Sequence, residues 1–147
     1  MTEIHHRIGV VSSSTDDVYA ALTTIDGLSG WWTTDTTGDP DLGGKIEFRF
    51  LPGGFDMEVI ELEPGELVRW RVADGPPEWI DTTVEFRLSR TDGFTIVHFT
   101  HAGWAEAVEF FAHCSTKWAS YLLSLKALVE TGTGSPSPDD VRISDWH

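Results

Sequence analysis

A histidine and a glutamate are the two titratable residues of this sequence that come nearest to an acid–base pair. His101 ends the strand-like run TIVHFTH, and Glu61 lies in the run FDMEVIELE. Acid–base catalysis needs two titratable groups that converge on one substrate. Alternation places His101 on one face with Thr95, Val97 and Phe99, whereas Glu61 fits either face around a bulge. The pair is a catalytic hypothesis that competes with a structural role for His101.

The stretch FTHAGW, residues 99–104, has a structural interpretation of its own. The strand pattern stops at His101, and a helical pattern starts after Gly103 and Trp104. His101 would then anchor a strand-to-helix corner by bonding a backbone group near Gly103, with Trp104 packed into that corner. A contact between His101 and a ligand is the second alternative.

The aromatic residues suggest binding. Seven Trp and eight Phe are a heavy load for 147 residues. Such rings either fill a core or line an apolar cavity, and composition does not decide between the two. The residues that we expect to contact a hydrophobic ligand are Trp32, Phe48, Phe50, Trp70, Phe99, His101, Phe111 and Trp118.

Other chemistries have little support in the sequence. His5 and His6 are neighbours on a strand and point to opposite faces, which is poor geometry for a metal site. The single cysteine, Cys114, excludes an internal disulfide and a cysteine-based zinc site. We find no Gly-rich phosphate loop and no ordered Ser-His-Asp set. We therefore expect no metal and no cofactor, and binding rather than catalysis.

The charge balance narrows the range of partners. Ten Lys and Arg stand against 24 Asp and Glu, which gives a formal net charge of -14. An acidic surface repels phosphate backbones and anionic lipid headgroups, so we expect no nucleic acid and no stable membrane association. The start, MTEIHHRIGV, has no apolar signal segment, and no run approaches the roughly 20 apolar residues of a membrane span. A cytoplasmic location is expected.

The first third of the chain predicts a strand followed by helical structure. IHHRIGVVSS is typical of a strand, and SSTDDVYAALTTIDGL predicts a helix that Gly27 and Gly30 break. TTDTTGDPDLGG predicts an exposed loop. An exposed aromatic patch near Trp31 is expected, and such a patch could serve a homodimer.

The middle of the chain changes to a period of two. The runs KIEFRFL, FDMEVIELE, ELVRWRV, WIDTTVEFRLSR and FTIVHFTH are joined by short Gly, Pro and Asp turns. This pattern predicts an antiparallel meander of five strands. In the fourth run, Ile80, Thr82, Val84, Phe86 and Leu88 are predicted to share one face.

Residues 105–131 predict a long helix that ends at a C-cap, Gly132. Its apolar positions at helical spacing are Val108, Phe111, Trp118, Leu122, Leu125 and Val129. The predicted class is α+β: a curved antiparallel sheet of six to seven strands around this helix, with two short helices after the first strand. We assign residues 1–134 to this domain and residues 135–147 to an irregular tail that Trp146 could dock.

Four segments together resemble a known superfamily. VYAALTTIDGLSGWW, EVIELEPGELVRWR, FTHAGW and CSTKWASYLLSLKALVETG are similar to the START-like helix-grip superfamily, SRPBCC, which includes pollen allergens and polyketide cyclases. Within it, the chain resembles the family named for the activator of the heat-shock-protein-90 ATPase, in its bacterial single-domain form. The resemblance covers residues 3–134 and implies a helix-grip fold with Val97, Phe99 and His101 facing inward.

The resemblance implies three alternative functions. The first is binding of a lipid-like or aromatic, polyketide-like molecule between the sheet and the long helix. The second is a stress-response partner of a heat-shock ATPase. The third is a cyclase or dehydratase of aromatic intermediates. One scaffold hosts all three, so the fold alone does not choose between them.

Overall fold

A computed structural model describes residues 2–50 and 53–147 of the chain. It contains seven strands and three helices within those residues: β1 (Thr2–Val11), α1 (Asp16–Thr23), α2 (Ile25–Trp31), β2 (Thr36–Gly38), β3 (Lys45–Arg49), β4 (Gly54–Glu63), β5 (Leu67–Asp74), β6 (Thr83–Thr91), β7 (Phe94–Trp104) and α3 (Glu109–Thr131).

All seven strands form one antiparallel sheet in the order β1-β7-β6-β5-β4-β3-β2. The five-strand meander is confirmed as β3 to β7, although Leu51, the last residue of the run KIEFRFL, lies outside the described residues. The stretch TTDTTGDPDLGG is not all loop, because Thr36–Gly38 pairs with β3. The register of β4 shifts between Val59 and Glu61, so the expected bulge is present and bends the strand.

The long helix covers the sheet, but it begins later than the sequence indicated. Strand β7 continues through His101 to Trp104, and α3 starts at Glu109 after an extended Val108. The expected corner at Gly103 is therefore wrong: Gly103 lies inside the strand, and the chain turns within residues 105–108. Gly132 caps the other end in the left-handed conformation, with φ of 87°.

The two short helices are present, and the predicted role of their glycines is wrong. The break falls at Thr24, whose side chain accepts a hydrogen bond from the Gly27 backbone. Both Gly27 and Gly30 lie inside α2, where they allow close packing. A Cβ on Gly27 would lie 2.6 Å from the Ala21 Cα of α1.

Two expectations about exposure are wrong. Trp31 is fully buried and donates a hydrogen bond from its Nε1 to the Ala21 carbonyl, so it forms no surface patch. Ile80 lies in the turn before β6 and is 43% exposed, whereas Val84 and Phe86 of the same run are buried. The alternation begins only where the strand does.

One aromatic core fills the space between the sheet and α3. Trp32 lies at its centre and contacts Trp31, Phe48, Trp70 and Trp118, with ring centroids 4.2 to 6.1 Å apart. The predicted class, a helix-grip fold, is confirmed. Among the described residues, no helix has the length and apolar character needed to cross a bilayer.

The tail folds back on α3 and α2. Ser137 pairs with Thr33 in a parallel bridge, and its backbone donates to the Trp32 carbonyl at 2.8 Å. Trp146 contacts Phe110 and His113 but remains 53% exposed. The division into residues 1–134 and 135–147 stays a prediction.

Candidate functional site

A cavity of about 710 Å³ lies at one end of the molecule. It is bounded by the first half of α3, the β3–β4 hairpin, the β5–β6 connection and the tail. The lining residues are Trp32, Phe50, Gly53, Gly54, Phe55, Asp74, Gly75, Pro76, Trp79, Phe110, His113, Cys114, Lys117, Trp118, Tyr121, Ser137, Pro138, Trp146 and His147. Its volume is within the range of about 300–1,000 Å³ that is typical of small-molecule sites.

The β5–β6 connection supplies one aromatic wall. The sequence DGPP ends β5 with Gly75 at φ of 149°, and the Trp79 backbone then donates to the Pro76 carbonyl at 2.9 Å. This turn holds the Trp79 ring against Phe55, with centroids 4.1 Å apart and planes within 14°. Trp79 also stacks on Trp118 of α3 at 5.8 Å, so the hairpin, the turn and the helix form one continuous apolar surface.

His101 organises that wall from behind. Trp118 Nε1 donates to His101 Nδ1 at 3.1 Å, which places the imidazole proton on Nε2. Nε2 then donates to Thr82 Oγ1 at 2.8 Å, and the hydroxyl donates to the Trp79 carbonyl at 2.5 Å. His101 therefore bonds side chains on a helix and a turn, and not a backbone group near Gly103. The chain of hydrogen bonds joins the two tryptophans of the cavity wall.

The His101 side chain is neutral. Burial lowers the pKa of His101 to about 3, because a charged imidazolium would lose its hydration in this position. Protonation would also place an N–H on Nδ1, opposite the N–H of Trp118. His101 is fully buried and is not among the cavity-lining residues.

The structure brings three of the eight predicted ligand-contact residues to the cavity. Trp32, Phe50 and Trp118 line it. The other five pack elsewhere. Phe48, Trp70, Phe99 and His101 lie in the sealed core, and Phe111 packs on Trp104 with centroids 5.1 Å apart.

Glu61 and His101 do not form a pair. The Glu61 carboxylate lies on the opposite face of the sheet, where it makes an ion pair with Arg69. Arg69 also binds Glu85, so Glu61 belongs to a network of surface charges. The acid–base hypothesis built on this pair is not supported by the geometry.

A polar group interrupts the apolar wall where α3 meets the tail. Lys117 Nζ lies 2.5 Å from Asp140 Oδ2, and Tyr121 donates to the same oxygen at 2.8 Å. Burial by itself raises the pKa of Asp140, but the hydrogen bonds from Lys117 and Tyr121 outweigh burial and leave this pKa below its ordinary value. The Oδ2 atom of Asp140 is thus held by two donors of one helix face, while Oδ1 lies 3.3 Å from Nε2 of His147 in the tail.

Cys114 and His113 line the cavity beside this group. Burial raises the pKa of the Cys114 thiol to about 12, so the thiol is protonated and unreactive as a nucleophile. Burial, with the nearby charge of Lys117, lowers the pKa of His113. His113 Nδ1 lies 2.7 Å from Ser144 Oγ of the tail. Within residues 2–50 and 53–147, no three His, Cys, Asp or Glu side chains converge as a metal site requires.

The sequence analysis missed Trp79, Lys117, Tyr121 and Asp140. The sequence does contain a pattern that could have indicated two of them. Lys117 and Tyr121 are four residues apart in a predicted helix, so the ammonium of one and the phenol of the other lie on the same helix face. Trp79 was read as the start of a strand. No local pattern indicates that Asp140, in a Gly/Ser/Pro-rich tail, docks against α3.

A family model described as "Activator of Hsp90 ATPase homolog 1-like protein" matches residues 12–130. Among curated proteins, none matches the chain. Among solved structures, the chain is similar to the solution structure of the Aha1 dimer from Colwellia psychrerythraea. It is 46% identical in sequence, the match covers 91% of this chain and 100% of that one, and the TM-score is 0.84.

More distant structures share the fold alone. The protein SSP2350 from Staphylococcus saprophyticus is 16% identical, with coverage of 97% and 98% and a TM-score of 0.76. CalU16 from Micromonospora echinospora is 20% identical, with coverage of 92% of this chain and 69% of that one and a TM-score of 0.73.

Proposed function

Because the chain belongs to the Activator of Hsp90 ATPase homolog 1-like family and has an aromatic cavity, we propose that it binds a hydrophobic small molecule in that cavity. The observation that carries the proposal is the wall formed by Trp32, Phe55, Trp79 and Trp118 around about 710 Å³. Filled cores are close-packed, and a space of this size lined by rings is the usual form of a ligand site.

The shape of the wall favours flat or chain-like ligands. Phe55, Trp79 and Trp118 stack with their planes nearly parallel, so a planar ring can extend the stack without exposing an edge to water. Burial of apolar ligand surface contributes about 25 cal/mol per Å², and this burial supplies the affinity. Of the residues expected to contact a ligand, Trp32, Phe50 and Trp118 are the ones that we propose do so.

Native mass spectrometry of the freshly purified protein tests the proposal. A defined extra mass that is lost on denaturation, followed by organic extraction, would identify the ligand class. A neutral planar probe, 9-anthracenemethanol, provides the second arm, with binding followed by quenching of tryptophan fluorescence. Failure of both arms would overturn the proposal.

A matched pair of variants locates the binding. Phe110→Glu places a carboxylate on the cavity wall in the first turn of α3, a position that the helix dipole tolerates. We expect this variant to weaken probe binding at least about tenfold, since a charge resists burial against an apolar ring. Phe94→Glu, on an exposed side chain outside the cavity, is the control and should bind as wild type.

A second candidate function, activation of a heat-shock ATPase, is favoured by the family description and by the 46% identical Aha1 structure. The test is the ATPase rate of a bacterial Hsp90 with and without this chain at micromolar concentration. A rate that does not change would remove this candidate and leave the cavity proposal intact.

Two further proposals concern assembly and location. The Aha1 relative was solved as a dimer, and we propose that this chain also forms a homodimer, to be measured by light scattering after gel filtration.

A free, buried thiol at Cys114 suits the reducing cytoplasm, where we propose that the protein works.

A further inference from the structure

We infer that the cavity takes an amphipathic carboxylic acid, whose carboxylate binds Lys117 and Tyr121 in the place that Asp140 of the tail now occupies. This inference rests on the proposed function and specifies its ligand. The apolar part of such a ligand would lie against the tryptophans, and its head group would reach the polar end of the same cavity.

The two donors already form an oxyanion site. Lys117 Nζ and Tyr121 OH belong to residues one helical turn apart, both of which line the cavity. They converge on a single oxygen, Asp140 Oδ2, at 2.5 and 2.8 Å. An ammonium and a phenol aimed at one point in an apolar wall are the donor pair that a carboxylate requires.

The group that fills this site comes from the tail, whose other side chains are exposed or half-buried. Among residues 135–147, all of which the structure describes, Asp140 is the one buried residue. Val141 and Trp146 remain 58% and 53% exposed, so the largest apolar side chains of the tail are only partly buried. Lys117 also donates to the Val141 carbonyl at 2.7 Å, so the tail depends on the same lysine for a second contact.

The exchange preserves charge. A ligand carboxylate that displaces Asp140 leaves Lys117 with a counter-ion, so no unpaired charge stays buried. Asp140, 2% exposed in its side chain, regains water when the tail leaves. A neutral ligand gains nothing from this exchange, because it cannot replace the charge that pairs with Lys117. Asp140 of the tail therefore competes with a ligand carboxylate for Lys117 and Tyr121. A carboxylic acid can displace it, whereas an alcohol cannot.

The test compares two probes with the same ring system, 9-anthracenecarboxylic acid and 9-anthracenemethanol, at neutral pH. Asp140→Asn removes the competing charge at nearly constant size. We expect this variant to bind the acid at least about tenfold more tightly than wild type and the alcohol within about twofold. Asp139→Asn changes the net charge equally at an exposed neighbour and should leave both affinities unchanged.

The charge-neutral double variant Lys117→Met with Asp140→Asn removes the site itself. We expect it to bind the acid and the alcohol with similar affinity, because the remaining wall recognises only the ring. A tenfold gain for the acid that persists in this double variant would overturn the inference, since the gain would then not depend on Lys117.

A measurement on the wild-type protein covers the case in which the Asp140→Asn variant does not fold. Arg142 is exposed in the folded protein, but the neighbouring Val141 carbonyl is held by Lys117. Displacement of the tail frees this backbone to enter the trypsin active site, so the acid should accelerate tryptic release of residues 143–147, detected by mass spectrometry. The alcohol at equal occupancy should not. If the alcohol binds but the acid neither gains affinity in Asp140→Asn nor speeds this cleavage, the inference fails and the cavity proposal stands. If neither probe binds, both fail.

Discussion

The His101 imidazole is a buried polar group with both nitrogens satisfied, and its value lies in the direction of its two bonds. One bond fixes the Trp118 indole of α3, and the other fixes, through Thr82, the backbone at Trp79. Because these tryptophans form the cavity wall, a residue outside the cavity sets its shape. In preorganised sites, the residues that contact a ligand are commonly held in place by hydrogen bonds from residues outside the site, as His101 does here.

The neutral state of His101 predicts acid sensitivity. In the unfolded chain its pKa is about 6.5, whereas in the folded protein it is about 3. Below pH 6.5 the unfolded state takes up a proton that the native state refuses, so stability falls as pH drops, by about 1.4 kcal/mol per pH unit from this one group. We expect His101→Asn to be less stable at neutral pH and to lose this part of the pH dependence.

Urea unfolding at several pH values between about 7 and about 4 provides the measurement. The difference in unfolding free energy between wild type and His101→Asn should shrink as pH falls. His5→Asn, at a half-exposed side chain, is the control. Parallel pH profiles for wild type and His101→Asn would contradict the expectation.

The Lys117–Asp140 pair carries a second prediction at the residue scale. Both side chains are largely buried, at 14% and 2% exposure, so removal of one partner leaves an uncompensated charge. Lys117→Met should cost about 3 kcal/mol of unfolding free energy, and the double variant with Asp140→Asn should recover most of that loss. Chemical denaturation of the single and double variants would measure the coupling; additive effects would show that the pair is independent.

Helix α2 provides the prediction at the scale of elements. Gly27→Ala places a methyl group against the Ala21 backbone at 2.6 Å, where nothing can move aside. Gly30→Ala, three residues later in the same helix, meets the Leu128 side chain at 3.0 Å, which can shift. We expect Gly27→Ala to lose about 2–3 kcal/mol and Gly30→Ala less than about 1, although alanine has the higher helix propensity at both positions. Thermal unfolding of the two variants checks this order, and equal losses would contradict it.

The sequence predicted the strands in which polar and apolar residues alternate, because one face of the sheet is exposed to water and the other is buried. Strands β3 to β7 alternate clearly, and parity placed Val97, Phe99 and His101 on one face. The resemblance, and not parity, indicated that this face points inward, and all three residues are buried. Strand β2 was missed because three residues are too few to show an alternating pattern. They form a strand only because β3 provides a neighbour to pair with. The start of α3 was misplaced because AEAV suits a helix, while β7 pairs with β1 as far as Trp104.

The site was less predictable than the fold for a physical reason. Parity shows which side chains share a face of a strand, but not whether the space beside them is filled. Phe48 and Phe50 share one face of a run, yet the first is in the sealed core and the second lines the cavity. The polar end depends on Asp140, which reaches Lys117 only after the tail has folded across α3.

At the scale of the whole molecule, the net charge opposes self-association. Each chain carries a formal net charge of -14, so two copies repel each other at low ionic strength. If the chain dimerises as we propose, the dimer dissociation constant should fall when NaCl rises from about 50 mM to about 0.5 M, because salt screens this repulsion. Sedimentation velocity over that range gives the measurement. A dimer that weakens with salt would indicate an interface held by ion pairs.

The packed indoles also give the folded molecule an optical signature. Trp32 lies 5.7 Å from Trp31, 6.1 Å from Trp70 and 5.0 Å from Trp118, and two of these pairs are nearly parallel. At such separations the electronic transitions of neighbouring rings couple, and the far-ultraviolet circular dichroism acquires bands that do not come from the backbone. A helix content read from that spectrum will be distorted. The same bands will report directly on the aromatic wall, since a bound chromophore joins the coupled set.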